Sequence, residues 1–300
     1  MEPSKTRKRA LHIENIAKRT VFLFSSISVL TTAIVVYILF SESFIFFKEV
    51  SIVEFFTSTK WSPTLRPQNF GVLPLLTGTL MIAIGASLIA IPFGLGSAIY
   101  LSEYAPKKVR KILKPILEIL AGIPSIVYGF FALTVITPLI RVFLPQTQIF
   151  NALSASIAVG IMIIPMVASL SEDAMMAVPD SLRKGAYALG STQLDVVLKV
   201  VLPAAISGIG SAFILAISRA IGETMIVAIA AGQSPTFTLN PLNSIQTMTG
   251  FMVNISLGDI QHGTIEYQTL FAIGGLLFFM TLSLNILARW IVKKQKEKLG

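Results

Sequence analysis

Residues 171–203 read SEDAMMAVPDSLRKGAYALGSTQLDVVLKVVLP and stand between two apolar stretches, Ala152–Leu170 and Pro203–Ala231. Pro179-Asp180-Ser181 is a helix-start signal: a proline beside side chains that can cap free backbone N–H groups. The spacing predicts a short helix through Leu189, closed by Gly190, which accepts a positive φ without a Cβ penalty. Thr192 and Asp195 form a Thr-x-x-Asp capping pattern that opens a second short helix. Leu194, Val197, Leu198 and Val201 give that helix an apolar stripe, and Pro203 begins the next apolar stretch. Two short helices joined at a glycine corner make a compact knob. Small residues at Gly185, Ala186 and Ala188 let another surface approach its backbone. On spacing alone the segment is either such a docking knob or an ordinary folded connection.

The flanks set the scale for the rest of the chain. A helix needs about 20 mainly apolar residues to cross about 30 Å of hydrocarbon. Six stretches qualify: Val21–Phe40, Pro74–Leu101, Ile112–Ile140, Ala152–Leu170, Pro203–Ala231 and Gln268–Val292. Of the 300 residues, 54% are hydrophobic and only 13% charged, where a soluble domain carries about 25% charged. The expected fold class is therefore an all-α membrane protein with six transmembrane helices, the second kinked at Pro92. The expected layout is an N-terminal segment 1–20, a membrane domain 21–292 that includes the 171–203 loop, and a tail 293–300.

The net charge is +9, and the basic residues flank apolar segments, which points to membrane rather than nucleic acid. Most lie in segments 1–20, 102–111, 171–202 and the C-terminal tail, or at the adjoining span ends. Lys48, Lys60, Arg66 and Arg141 lie on the other side, and Arg219 lies inside a span. This asymmetry predicts a multi-pass protein of a prokaryotic inner membrane with both termini cytoplasmic. The run after the polar Met1–Thr20 lacks a small-residue cleavage site and is read as a retained span. The outer connection 41–73 carries Phe44, Phe46, Phe47, Phe55, Phe56 and Trp61, suited either to the membrane interface or to a packed cap over helix ends.

Several chemistries are excluded or unsupported. There is no cysteine, hence no disulfide, thiolate metal site or cysteine nucleophile. No G-x-x-x-x-G-K-[ST] loop exists to cradle nucleotide phosphates. His12 and His262 are isolated, so no metal or cofactor is expected, and no convergent His, Asp and Ser set suggests an enzyme.

Arg219 and Glu223 lie near the middle of the fifth apolar stretch. An arginine at a helix centre costs about 2.5–3.5 kcal/mol on insertion scales, so it should face protein or water. The i,i+4 spacing puts Glu223 on the same face, in the order that stabilises a helix less. One reading is an anion pathway, because a guanidinium stays charged and offers a fork of donors to oxyanions; Glu223 would then position Arg219 and keep the anion from binding too tightly to leave. The other is a salt-bridge lock between helices. Ser218 and Thr224 are polar neighbours suited mainly to helix packing. The Pro124-Ser125 interruption of the third stretch reads as a packed kink, Glu118 can pair with Lys114, and Gly78, Gly85, Gly94, Gly96, Gly208 and Gly210 suit close helix packing.

The Gly185-Ala186-Tyr187-Ala188-Leu189-Gly190 stretch, then nine residues, then Val200-Val201-Leu202-Pro203 resembles the loop of binding-protein-dependent ABC importer permeases, E-A-A-x3-G-x9-I-x-L-P. The pattern falls on Lys184, Gly185, Ala186, Gly190, Val200, Leu202 and Pro203. Lys184 stands where the family has Glu and Gly185 where it has the first Ala, which reverses the charge of one contact. Trp61-Ser62-Pro63, Phe70–Leu76, Leu101–Pro106, Leu120–Gly129 and above all Ser218-Arg219-Ala220-Ile221-Gly222-Glu223-Thr224-Met225 are similar to phosphate importer permeases of the PstC type. The resemblance covers roughly residues 55–292. It implies a type I importer permease (MetI-like) fold and an ATPase docked on Lys184, Gly185, Ala186, Gly190, Leu202 and Pro203. It implies a pathway through Arg219, Glu223, Ser218 and Thr224. The implied partners are a sister permease, two cytoplasmic ATPase subunits and an extracytoplasmic phosphate-binding protein. Rival expectations are an importer of another oxyanion, molybdate or sulfate, and a stand-alone secondary transporter.

Overall fold

A computed structural model describes the backbone of residues 5–299 and the side chains of residues 14–293. The basic side chains Lys5, Arg7, Lys8 and Arg9, the side chain of His12, and the side chains of residues 294–300 lie outside that set. Among the described residues, six helical segments are long and apolar enough to cross a membrane: Glu14–Glu49, Leu73–Tyr104, Ser125–Phe143, Ala152–Met176, Gln193–Ile221 and Ile265–Lys293. The number is as expected; several boundaries are not.

The first helix, α1 (Lys5–Glu49), continues past Phe40. Between residues 14 and 35 every side chain is exposed. Only its later turns pack, against α13 (Ile265–Leu299), where Ser43 Oγ donates to the Phe271 carbonyl at 2.8 Å and Phe40 meets Phe278 and Phe279 edge-on. The aromatic residues that follow are mostly a packed cap: Phe46, Phe55 and Trp61 are buried together with Phe70, while Phe44 and Phe56 face outward. A short helix α2 (Ile52–Thr57) and a two-stranded ribbon, β1 (Trp61–Ser62) on β2 (Asn69–Phe70), frame this cluster. It marks one end of the bundle, the cap end.

The second span, α3 (Leu73–Ile99), stays helical through Pro92. It packs along α7 (Ala152–Met176) with very small residues at the seam. A Cβ on Gly85 would fall 2.7 Å from Ser156 Oγ, and one on Gly94 would fall 2.6 Å from Val167, so only glycine permits this approach. Gly78 and Gly208 are also crowded, whereas Gly96 and Gly210 have no close neighbour, contrary to expectation.

The third stretch does not run through Ile112–Ile140. It divides at Gly122-Ile123-Pro124 into α4 (Lys107–Ala121) and a span made of α5 (Ser125–Phe131) and α6 (Thr137–Phe143). The cause is local: proline pushes the residue before it out of the α region, and Pro124 itself has φ −57° and ψ 133°. The fifth stretch is shifted as well. After α8 (Asp180–Ala188), helix α9 (Gln193–Val196) continues without a break into α10 (Leu202–Ile221). The expected separate second helix is thus the first part of the span. At the other end the helix stops at Gly222, and a six-residue helix, α11 (Met225–Ala230), resumes beyond it.

Among the described residues three π-helical turns occur, at Tyr100–Tyr104, Ala132–Ile136 and Val197–Val201. Each ends on an X-Pro pair: Ala105-Pro106, Thr137-Pro138 and Leu202-Pro203. In each, the residue before proline donates its N–H five residues back, to Tyr100, Ala132 and Val197 respectively. A proline lacks an N–H and its ring crowds the carbonyl four residues earlier; widening the turn relieves both problems. Finally α12 (Met248–Leu257) lies between the fifth and sixth apolar stretches, its N-terminus buried beside Thr79.

Candidate functional site

The helix break after α10 is built around Glu223. Its Oε1 accepts from the backbone N–H groups of Met225 and Ile226 at 3.2 and 3.4 Å, so the carboxylate caps α11. Its carbonyl accepts from Thr249 Oγ1 at 2.6 Å. Thr249 Oγ1 is 3.2 Å from Thr247 Oγ1, which caps α12 by accepting from Gly250 N. Thr79 on α3 accepts from Met248 N at 3.0 Å. The result is a buried polar knot of Glu223, Thr247, Thr249 and Thr79 where three helices meet. The three threonines were not anticipated; the one available signal was Thr247 standing as a cap residue before a short apolar run.

Arg219 lies in the last turn of α10, not in mid-helix as the apolar stretch implied. Its Nη1 is 3.7 Å from Glu223 Oε2, and its side chain is 53% exposed against 2% for Glu223. That separation is an ion pair but too long for a hydrogen bond. The fork of donors therefore points out of the chain while the carboxylate stays fixed behind it. The Asn151 N–H at the start of α7 bonds to the Ala230 carbonyl, so at most about 9 Å of helix separates the break from the cap end of the bundle. Ser218 Oγ is buried and has no hydrogen-bond partner among the described residues. Thr224 Oγ1 turns back to the Gly222 carbonyl at 3.3 Å.

The knob is held from one side and bare on the other. Gly190 closes α8 with φ +83°. Thr192 Oγ1 accepts from Asp195 N and donates to Asp195 Oδ2, the reciprocal cap the spacing implied. Lys184 and Gly185 are exposed and Ala186 half-buried, and a Cβ on Gly185 or Gly190 would meet nothing within 4 Å. Leu189 is 89% exposed, and Leu182, Tyr187 and Leu194 are also open. The tip of the knob is thus apolar and bare in this chain. Leu202 is half-buried and Pro203 exposed where the knob joins the span.

What fixes the knob is an ion pair that sequence reading missed. Arg183 donates from Nη2 and Nε to Glu103 at 3.0 and 3.3 Å, and to the carbonyls of Val178 and Met175 at 2.6 and 2.8 Å. Gln193 Nε2 donates to the Glu103 carbonyl at 2.6 Å, and Ser102 Oγ to Glu103 Oε1 at 2.7 Å. Nearby, buried Glu172 on α7 receives Arg110 at 2.6 Å and Lys114 at 3.1 Å from α4. Lys114 thus pairs with Glu172 and Asp173, not with Glu118. Burial works to lower the Lys114 ammonium pKa, but the hydrogen bonds to Asp173 and Glu172 outweigh it and raise the pKa. Lys114 is therefore charged throughout the physiological range.

Residues 90–297 match the family of binding-protein-dependent transport system inner membrane components. A probable ABC transporter permease protein, YqgH of Bacillus subtilis, is 37% identical over 247 residues, 82% of this chain and 80% of that protein. The phosphate transport system permease protein PstC of Haemophilus influenzae is 31% identical over 310 residues, 96% of each. Among solved structures, a chain of a bacterial ABC transporter that imports alginate superposes with a TM-score of 0.63 at 13% identity, covering 94% of this chain and 99% of that one. A chain of the inward-facing MetNI methionine ABC transporter gives 0.56 at 18% identity over 74% of this chain.

Proposed function

Because the chain belongs to the binding-protein-dependent transport system inner membrane components, an ABC importer permease family, we propose that it is the PstC-type permease of an ATP-driven importer of inorganic phosphate. The family assignment makes it a multi-pass inner-membrane subunit that relies on partners for ATP hydrolysis. Phosphate comes from its relatives, PstC chains of Haemophilus influenzae and of Xylella fastidiosa at 31% and 33% identity. The half-exposed guanidinium of Arg219 supports it, since such a fork suits phosphate oxygens.

One observation carries the mechanism: the helix from Gln193 to Ile221 is unbroken. It starts at the knob and ends at Arg219. Force delivered to the bare face of α8 by two cytoplasmic ATPase subunits would pass through Arg183 to Glu103 at the foot of the second span. It would also pass along the Gln193–Ile221 rod to its last turn, which carries Arg219. Tilting of that rod would change which side Arg219 faces. In this reading the knob end and both termini are cytoplasmic. A sister permease supplies the other wall of the path, and an extracytoplasmic phosphate-binding protein docks on the cap end.

The test is reconstitution with the sister permease, ATPase and binding protein in vesicles. ATP-dependent phosphate uptake is expected, undiminished by excess molybdate or sulfate and absent when the ATPase is omitted. Competition by those oxyanions would reassign the substrate, and full-rate transport by this chain alone would overturn the coupling.

A further inference from the structure

Helix α4 has three faces with three different environments. Val109, Arg110, Leu113, Lys114 and Leu117 turn toward α7, where Arg110 and Lys114 hold buried Glu172. Those two ion pairs fix the rotation of the helix about its own axis. The rest of its surface is then fixed too. Ile112, Ile116 and Ile119 recur at i, i+4 and i+7 and are 63%, 45% and 70% exposed. Beside that row lie Lys107, Lys108 and Lys111, all exposed and without an ion pair among the described residues, with Glu118 the one carboxylate on the same arc.

We propose that α4 lies in the bilayer surface at the knob end and binds anionic phospholipid, with the isoleucine row in the acyl boundary and Lys107, Lys108 and Lys111 on the headgroup phosphates. The helix has the make-up of an interfacial one: a strongly amphipathic pattern, low overall hydrophobicity and lysines along the polar edge. It is about 22 Å long and joins two spans at the end of the bundle where the membrane surface must pass. The sister permease is the competing occupant. Protein interfaces deplete lysine, whereas three unpaired lysines bordering an apolar row complement an anionic membrane surface, which attracts such residues. Because Arg110 and Lys114 tie α4 to α7 close to the knob, lipid bound there would brace the element that receives force from the ATPase.

The absence of cysteine makes the test direct. Ile116→Cys would carry the one thiol of this chain and be labelled with a fluorophore in the assembled importer, its partners made cysteine-free. The complex is placed in vesicles of phosphatidylcholine with or without phosphatidylglycerol. Expected are strong quenching by brominated lipid and little by aqueous iodide. Brominated phosphatidylglycerol should quench in preference to brominated phosphatidylcholine. Lys107→Gln, Lys108→Gln and Lys111→Gln together should erase that preference, each lysine contributing about fivefold. A label shielded from both quenchers would mean a protein covers the face, and one open to iodide would mean the helix stands in water. Equal quenching by both lipids would mean the lysines bind no headgroup. Each of these three results overturns the proposal.

Discussion

Two arginine–carboxylate pairs divide this molecule, and they are built in opposite ways. Arg183 has its donors spent on Glu103 and on the carbonyls of Val178 and Met175, and the pair is nearly buried, at 14% and 6% side-chain exposure. Arg219 stands 3.7 Å from Glu223 and is half exposed, while Glu223 spends an oxygen on the N–H groups of α11. A guanidinium whose donors are all satisfied is a fastener. One whose carboxylate is engaged elsewhere keeps its donors free. Charge and residue type are the same at both places; the difference is what else each carboxylate holds.

The sharpest way to break that comparison is Arg183→Ala. It leaves Glu103 buried without its counter-charge, which costs about 3–5 kcal/mol. The expected result is a knob that no longer sits against the second span: the ATPase should fail to co-purify, and phosphate uptake should vanish with it. Arg183→Lys keeps the charge but loses the fork and should retain part of the co-purification. A fully assembled Arg183→Ala complex would remove the fastener role.

Arg219→Ala should have a narrower effect. Little stability is expected to change, since the pair is long and open to solvent, and the partners should co-purify as before. Uptake should fall by about 100-fold, the loss expected for a charge-assisted hydrogen bond to the anion, and Arg219→Lys should recover part of it. Normal uptake by Arg219→Ala would turn this second pair into a structural lock.

Much of this was legible in the sequence, and the failures have physical causes. Six spans could be counted because each contains a long, mainly apolar window, and the α8 knob could be drawn because Pro179, Gly190 and the Thr192–Asp195 pair act on their own neighbours. Helix breaks were harder. Pro92 and Pro165 stay inside helices, while Pro124 ends up outside one. Pro115 stays inside α4 as well, so bracing by a neighbour is not what decides. Of these four prolines Pro124 alone comes two residues after a glycine, Gly122, the C-cap of α4. Gly222 likewise resembles Gly208 and Gly210, yet only there does a carboxylate on the next residue offer to cap a new helix. The ion pairs Arg183–Glu103 and Arg110–Glu172 join distant parts of the chain, and no local spacing encodes them. Lys114 was matched to Glu118 for the same reason: the nearest carboxylate in sequence is not the nearest in space.

The smallest expected effect is the most discriminating. Glu223→Gln keeps an oxygen for the N–H groups of Met225 and Ile226, so α11 stays capped, and removes only the charge facing Arg219. Glu223→Ala removes both and should cost about 1 kcal/mol of cap as well. If Glu223 tempers the hold of Arg219 on phosphate, Glu223→Gln should lower the half-saturating phosphate concentration about two- to fivefold, the worth of a solvent-facing ion pair. Maximal uptake should fall in step, because a more tightly held anion leaves more slowly. An unchanged half-saturation with reduced assembly would instead put Glu223 in the same class as Glu103, a carboxylate that serves only to hold helices together, and the contrast between the two pairs would close.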